Sequence, residues 1–276
     1  MTARQGERRG SRSLILDLYG AFVRDLGGWI AVADLVTLMA DLGTEEQVVR
    51  SSVSRMLRKG LLKRDVRAGT VGYELTAQAA RILAEGDERI FNGSRPAPLD
   101  EGWVLAVFSI PERNRAARHQ LRSRLVWLGM GRLDGGVWLA PWRVRDDLLA
   151  AVTDLGLTDH VDVFRARYDA FGSLGELAQR CWDLDALNER YARFVRQAAP
   201  LLRRWRQARH AGQRRAFVDY TTALHEWRTL PYLDPGLPPE MLPSGWRGAR
   251  AAELFGELVD ELHAPAQDYV RSVMFG

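Results

Sequence analysis

Residues 28–76 read GWIAVADLVTLMADLGTEEQVVRSSVSRMLRKGLLKRDVRAGTVGYELT, and this stretch decides the fold of the first part of the chain. Leu42-Gly43-Thr44 sits between two segments of helical periodicity. Gly43 ends the helix over 32–42, and Thr44, with Gln47 three residues on, has capping-box spacing for the next. Over 45–59, Val49, Val53, Met56 and Leu57 share one side at 3.6 residues per turn, while Gln47, Arg50, Ser51, Ser54 and Arg58 fall opposite and Arg55 lies at the margin. The pattern predicts a helix with an aliphatic inner face and an outer face of hydrogen-bond donors. Runs over 61–67 and 71–75 then bracket Ala68-Gly69-Thr70, a hairpin pattern that leaves Lys63, Arg64 and Arg67 available to a phosphate backbone. Two helices, a sharp turn and a basic hairpin in this order predict a winged helix-turn-helix. Arginine, serine and glutamine at this spacing suit phosphate oxygens and the edges of bases, so the expected ligand is double-stranded DNA.

Outside this motif, the 276 residues are 46% hydrophobic and 27% charged, enough for a sizeable core in two or three domains. The net charge of +4 suits an anionic partner. Lysine occurs only at 59 and 63, however, and such an arginine bias can come from genome composition alone. A single cysteine, Cys181, allows no intrachain disulfide, and no apolar run is long and charge-free enough to span a membrane. Arg4, Arg8, Arg9 and Arg12 precede no apolar signal core. These features predict a soluble, cytoplasmic protein whose residues 1–13 form a basic arm.

The winged-helix domain is expected over 14–92 and a Gly/Pro-rich linker over 93–102. Residues 103–171 then read strand, arginine-rich helix, two short strands, helix, strand, the βαββαβ order of a ferredoxin-like domain with helices on one sheet face. Residues 172–276 are expected as a helical domain for dimerisation and effector binding, interrupted by the Leu230 to Pro239 run, whose prolines argue against helix. The chain is thus expected to be an α+β multidomain protein.

Candidate catalytic groups are sparse. His119, His160, His210, His225 and His263 have no two-histidine metal spacing on one helix, and no phosphate-binding glycine loop is present. Cys181 beside Trp182 reads as core. The central domain is similar to the small ferredoxin-like nucleases associated with CRISPR arrays, which makes a metal-dependent nuclease one alternative reading, beside a DNA-binding module that answers to no effector. Its first strand, however, carries Ser109 where a metal-holding aspartate would stand, and Glu112 belongs to a helix start. The expectation is no enzyme, no catalytic residue, no metal and no cofactor. For a small-molecule effector, Arg228 falls on the same side of its helix as Phe217, Thr221 and Leu224, with His225 at the edge. A cation there needs a carboxylate partner such as Asp219 or Asp234, or a stem that carries its head out to water, or a ligand received by Arg228 and His225 with Tyr232 and Trp246.

Three segments carry a family resemblance: LAVFSIPERNRAARHQLRSRLVWLGMGRLDGGVWLAP at 105–141, CWDLDALNERYARFV at 181–195 and LHEWRTLPYLDPGLPPEMLPSGWRGARAAELF at 224–255. Together with the winged-helix pattern they resemble the PaaX family, the bacterial repressors of phenylacetic acid degradation operons. The resemblance implies a homodimer that binds a promoter palindrome and leaves it on binding an aromatic acyl-CoA thioester such as phenylacetyl-CoA. Relatives often carry consecutive arginines and tyrosines at the wing, where this chain has Ala68-Gly69-Thr70-Val71-Gly72-Tyr73-Glu74, which weakens the expected wing contacts.

Overall fold

Ser11, Ile15 and Leu18, buried at successive turns of one helix, anchor the start of the chain. The computed structural model describes residues 3–92, 96–169, 172–207 and 212–276. Helix α1 (Ala3–Leu18) occupies the stretch expected as a basic arm. The chain then runs through β1 (Trp29–Ala31), α2 (Val32–Asp41), α3 (Glu46–Arg58), β2 (Leu62–Arg67), β3 (Thr70–Leu75) and α4 (Ala77–Asn92). Next come β4 (Trp103–Phe108), α5 (Arg115–Trp127), β5 (Gly131–Asp134), β6 (Val137–Pro141), α6 (Arg145–Asp154), β7 (Val161–Ala166) and α7 (Leu174–Cys181). The last elements are α8 (Leu184–Gln207), α9 (Gln213–Trp227), α10 (Leu230–Leu233) and α11 (Gly248–Phe275).

The chain divides into two compact units. One comprises residues 1–91, 194–228 and 250–276, the other 92–193 and 229–249. This differs from the expected division, in which everything beyond 172 formed a separate helical domain. The end of α8, α9 and α11 lie in the same unit as α1 to α4, because their apolar faces meet the first helices in one core. Phe22 packs against Phe217, Tyr220 and His263 with ring centroids 5.5–5.7 Å apart, and Trp227 stacks on Phe255 at 5.0 Å. Polar links join the same elements. Asp41, at the end of α2, accepts from Tyr269 Oη of α11 at 2.5 Å and pairs with Arg214 of α9 at 2.6 Å.

The second unit is built on a four-stranded antiparallel sheet of order β5-β6-β4-β7. Alternation along β4 gives it two apolar faces. Val104, Ala106 and Phe108 join Leu121 and Leu125 of α5 and Leu148 and Val152 of α6 in one core. On the opposite face Trp103 and Leu139 meet Leu177 of α7 and Leu237 and Met241 of the proline-rich segment. Cover on one face alone was expected, and the apolar side chains of the second face are what recruit the proline-rich segment. That segment also contains one helical turn, α10, where no helix was expected; Pro231 is tolerated because it stands in the first turn, whose N–H groups have no intrahelical acceptor.

Candidate nucleic-acid interface

The turn before α3 is set by Gly43 in the left-handed region (φ 75°). Its N–H donates to Ala40 O and that of Thr44 to Met39 O, both at 2.9 Å, the paired bonds of a Schellman motif. The expected capping box at Thr44 does not form, since Thr44 N–H serves the end of α2 and the residue capping α3 is Glu45, without a side-chain bond. Helix α3 buries Val49, Ser52, Val53 and Met56, and Leu57 is half-buried. Gln47, Arg50, Ser51, Ser54 and Arg58 are exposed and Arg55 is half-buried, so the expected donor face is present as one surface.

Local bonds arrange that face. Arg50 pairs with Glu46 one turn earlier at 2.6 Å, Arg58 donates to Ser54 Oγ at 3.2 Å, and Arg55 donates to Ser52 Oγ at 3.0 Å. Ser51 Oγ donates to Val48 O at 3.0 Å. The Arg50–Glu46 pair joins groups that are 61% and 55% exposed, so it holds the guanidinium along the helix at little energetic cost to exchange.

The hairpin turns through Ala68 (φ 48°) and Gly69 (φ 79°), both left-handed, which matches a two-residue turn to the strand twist. Strand β1 adds to the hairpin's free side, giving the order β1-β3-β2. A Cβ on Gly72 would lie 2.4 Å from Ile30 O and from the Trp29 ring, so glycine is what lets β1 and its indole close on β3. Tyr19 Oη donates to Tyr73 O at 2.9 Å, tying the hairpin to the helices, and burial holds this phenol well above its usual range.

Carboxylates occupy two of the three hairpin cations. Lys63 pairs with Glu74 at 2.8 Å, and Arg67 pairs with Asp65 at 3.0 Å and Glu74 at 3.2 Å while lying over the Trp29 ring. The hydrogen bond from Arg67 holds the Asp65 carboxyl below the usual aspartate range. Lys63, Arg64 and Arg67 are all exposed, but the carboxylates leave Arg64 as the hairpin cation with no ion pair among the described residues. Sequence reasoning counted the cations and missed Glu46, Asp65 and Glu74 as their partners; alternation along β2 and β3, with Lys63 opposite Glu74, was the available signal.

The four candidate effector residues are divided between the two units. In the first, buried Asp17 of α1 takes both side chains: His225 Nδ1 at 2.6 Å and Arg228 Nε at 2.7 Å, the latter an ion-pair contact at an angle poor for a hydrogen bond. Neither Asp219 nor Asp234 plays that part. Asp219 is engaged by Arg204, Trp205 and Arg215, and Asp234 accepts from Tyr191 Oη at 2.8 Å. In the second unit Tyr232 packs on Trp127 at 5.9 Å and Trp246 on Tyr191 at 5.5 Å.

Three family models match in succession: PaaX-like protein over residues 10–79, PaaX protein central Cas2-like domain over 96–178, and PaaX-like protein C-terminal domain over 182–272. The chain belongs to the PaaX family. It is 28% identical over 246 residues, 88% of its own length and 77% of the relative's, to a protein of Escherichia coli (strain K12) named transcriptional repressor PaaX. An uncharacterized protein of Mycobacterium tuberculosis shares the fold, with a TM-score of 0.64 and 23% identity covering 95% of this chain and 98% of that one.

In the Cas2-like domain of this PaaX-family chain, Glu112 pairs with Arg118 at 2.7 Å and Ser109 N–H donates to His160 O. Among the described residues no three His, Cys, Asp or Glu side chains gather as metal ligands, and no helix is long and apolar enough to cross a membrane. His263 stacks on Phe22, and His210 lies outside the described residues. Burial pushes the Cys181 thiol up to about 11, which leaves it little thiolate near neutral pH.

Proposed function

We propose that this chain is a DNA-binding transcriptional repressor in which residues 28–76 form a winged helix-turn-helix and α3 enters the major groove. The observation that carries the proposal is the single exposed donor face of α3, fixed from behind by Val49, Val53 and Met56. Membership of the PaaX family and the name of the Escherichia coli relative support it. The βαββαβ order with strands arranged β5-β6-β4-β7 supports a ferredoxin-like central domain. With Ser109 in place of a carboxylate and Glu112 held by Arg118, that domain serves as a spacing and assembly module.

In this reading Arg50 and Arg58, with Gln47, Ser51, Ser54 and Arg55, meet base edges and flanking phosphates, and the hairpin cations exchange their carboxylates for phosphate oxygens. A homodimer sets two recognition helices about one DNA turn or a multiple of it apart and reads a two-fold related operator beside an aromatic-acid catabolic operon. An aromatic acyl-CoA such as phenylacetyl-CoA binds better to the form that fits DNA less well, so effector and operator weaken each other by the same factor. Binding of the purified protein to its own upstream DNA, titrated at fixed salt with phenylacetyl-CoA, phenylacetate and coenzyme A, tests this. Specific binding released only by the thioester is expected. Absence of sequence-specific binding would overturn the repressor reading, and indifference to all three compounds would overturn its effector.

A further inference from the structure

An open cleft of about 570 Å3 lies in the second unit between α5, the edge strand β5 and the first turns of α8. Its apolar wall includes Met130, Trp138 and Trp182. The Trp182 indole is fixed there by donating Nε1–H to Gly129 O at 2.9 Å and by Gly131, where a Cβ would come within 2.4 Å of the ring. Around the cleft stand Arg122 from α5, Arg132 from β5 and Arg190 from α8, none of them in an ion pair among the described residues. The acid in the lining, Asp183, accepts from Ala186 N–H at 3.1 Å and is occupied in capping α8.

Two buried donors in this lining have no acceptor in the protein. Trp138 is 5% exposed and its Nε1–H is unpartnered; Arg122 donates through Nη2 to Gly135 O, but its Nε–H finds nothing. Unsatisfied buried donors are uncommon in folded proteins, and here they coincide with a concave apolar surface ringed by uncompensated guanidiniums. Indole walls accept a flat apolar group. Guanidinium forks match phosphate oxygens, for which they are better suited than point charges.

We propose that this cleft is the effector site, and that it takes a ligand joining an aryl or acyl group to several phosphate charges, the aryl end against Trp138 and Trp182 and the phosphates at Arg122, Arg132 and Arg190. The assignment rests on the reading of the chain as a repressor that answers to an aromatic acyl-CoA, and it places that site in the second unit, away from Arg228 and His225, which Asp17 already occupies.

Calorimetric titration of the full chain with phenylacetyl-CoA, coenzyme A and 3′,5′-adenosine bisphosphate, beside the exposed double variant Arg132→Ala/Arg190→Ala, tests the assignment. The thioester is expected to bind saturably and more tightly than either compound lacking the aryl group, and the double variant to weaken it by about tenfold or more. Operator affinity without ligand should be unchanged in that variant. Thioester binding undiminished in the double variant would overturn the cleft while leaving the effector reading intact. No saturable binding of any of the three to a protein that still holds its operator would overturn the ligand class. A double variant that loses operator affinity without ligand would show that these arginines serve DNA and would equally refute the site.

Discussion

Replacing Arg58 and Arg50 by alanine, singly, should reduce operator preference by different amounts, and the difference follows from what each guanidinium leaves behind. A bidentate arginine–base contact discriminates by about 1–3 kcal/mol, roughly fivefold to 150-fold in affinity. Arg58 gives up only a long bond to the neutral Ser54 hydroxyl, so Arg58→Ala should show the whole range. Arg50 must first leave Glu46, an exposed i,i+4 pair worth about 0.5 kcal/mol, so Arg50→Ala should cost about 0.5–2.5 kcal/mol, roughly twofold to 70-fold. By the same accounting Glu46→Ala frees Arg50 and removes a charge of the same sign as phosphate, and it should tighten binding to any duplex. The assay is fluorescence anisotropy against operator and scrambled duplexes over a series of salt concentrations. Loss of a base contact lowers the ratio of specific to nonspecific affinity with little change in salt slope, whereas loss of a phosphate contact lowers the slope by about 0.9 and spares the ratio. Lys63→Ala, on the hairpin, should do the second. All four side chains are exposed, so thermal stability should stay within about 0.5 kcal/mol of the parent. A ratio unchanged by both arginine substitutions, or a ratio that responds to Lys63→Ala instead, would refute the assignment of α3 as the reading element.

Two further outcomes follow from backbone geometry and burial. Ala68 holds a left-handed conformation next to Gly69, so Ala68→Gly should stabilise the protein by up to about 1 kcal/mol; Gly72→Ala should destabilise it, because its Cβ meets backbone at Ile30, and thermal melts that rank the two variants the other way would contradict the described turn and strand closure. Burial, with the Tyr269 hydrogen bond to Asp41, raises the Tyr269 phenol from 10.0 to about 12. A raised folded pKa gives stability that is complete below pH 10 and is lost as the pH rises toward 12, so Tyr269→Phe should lessen the alkaline loss of stability in that window, as read by denaturant unfolding at pH 8, 10 and 11. An identical pH profile in the variant would remove Tyr269 from that loss.

The segments written in local chemistry were legible in advance. Gly43, the 3.6-residue spacing of Val49, Val53 and Met56, and the turn at Ala68-Gly69 each act within a few residues, and each stands where the sequence placed it. The apolar run that starts at Trp103 likewise named a strand, though one of its two apolar faces was left without a partner. The cap of α3 was misread because Thr44 has two possible uses, and ending α2 takes its N–H. The hairpin cations were read by type alone, and their neutralisation by Asp65 and Glu74 depends on strand register.

What the sequence by itself determined is the helix–turn–helix and hairpin over 28–76, the βαββαβ order of the central segment, the donor face of α3 and the family, because helical periodicity, turn residues and motifs are properties of neighbouring positions. The tertiary structure decided which faces meet. Asp17 takes His225 and Arg228 from more than 200 positions away, Asp41 takes Arg214 and Tyr269, and α9 and α11 share a core with the first helices. An amphipathic helix states that it must bury a face, but any apolar surface of similar shape satisfies that demand, so the choice of partner belongs to packing of the whole chain.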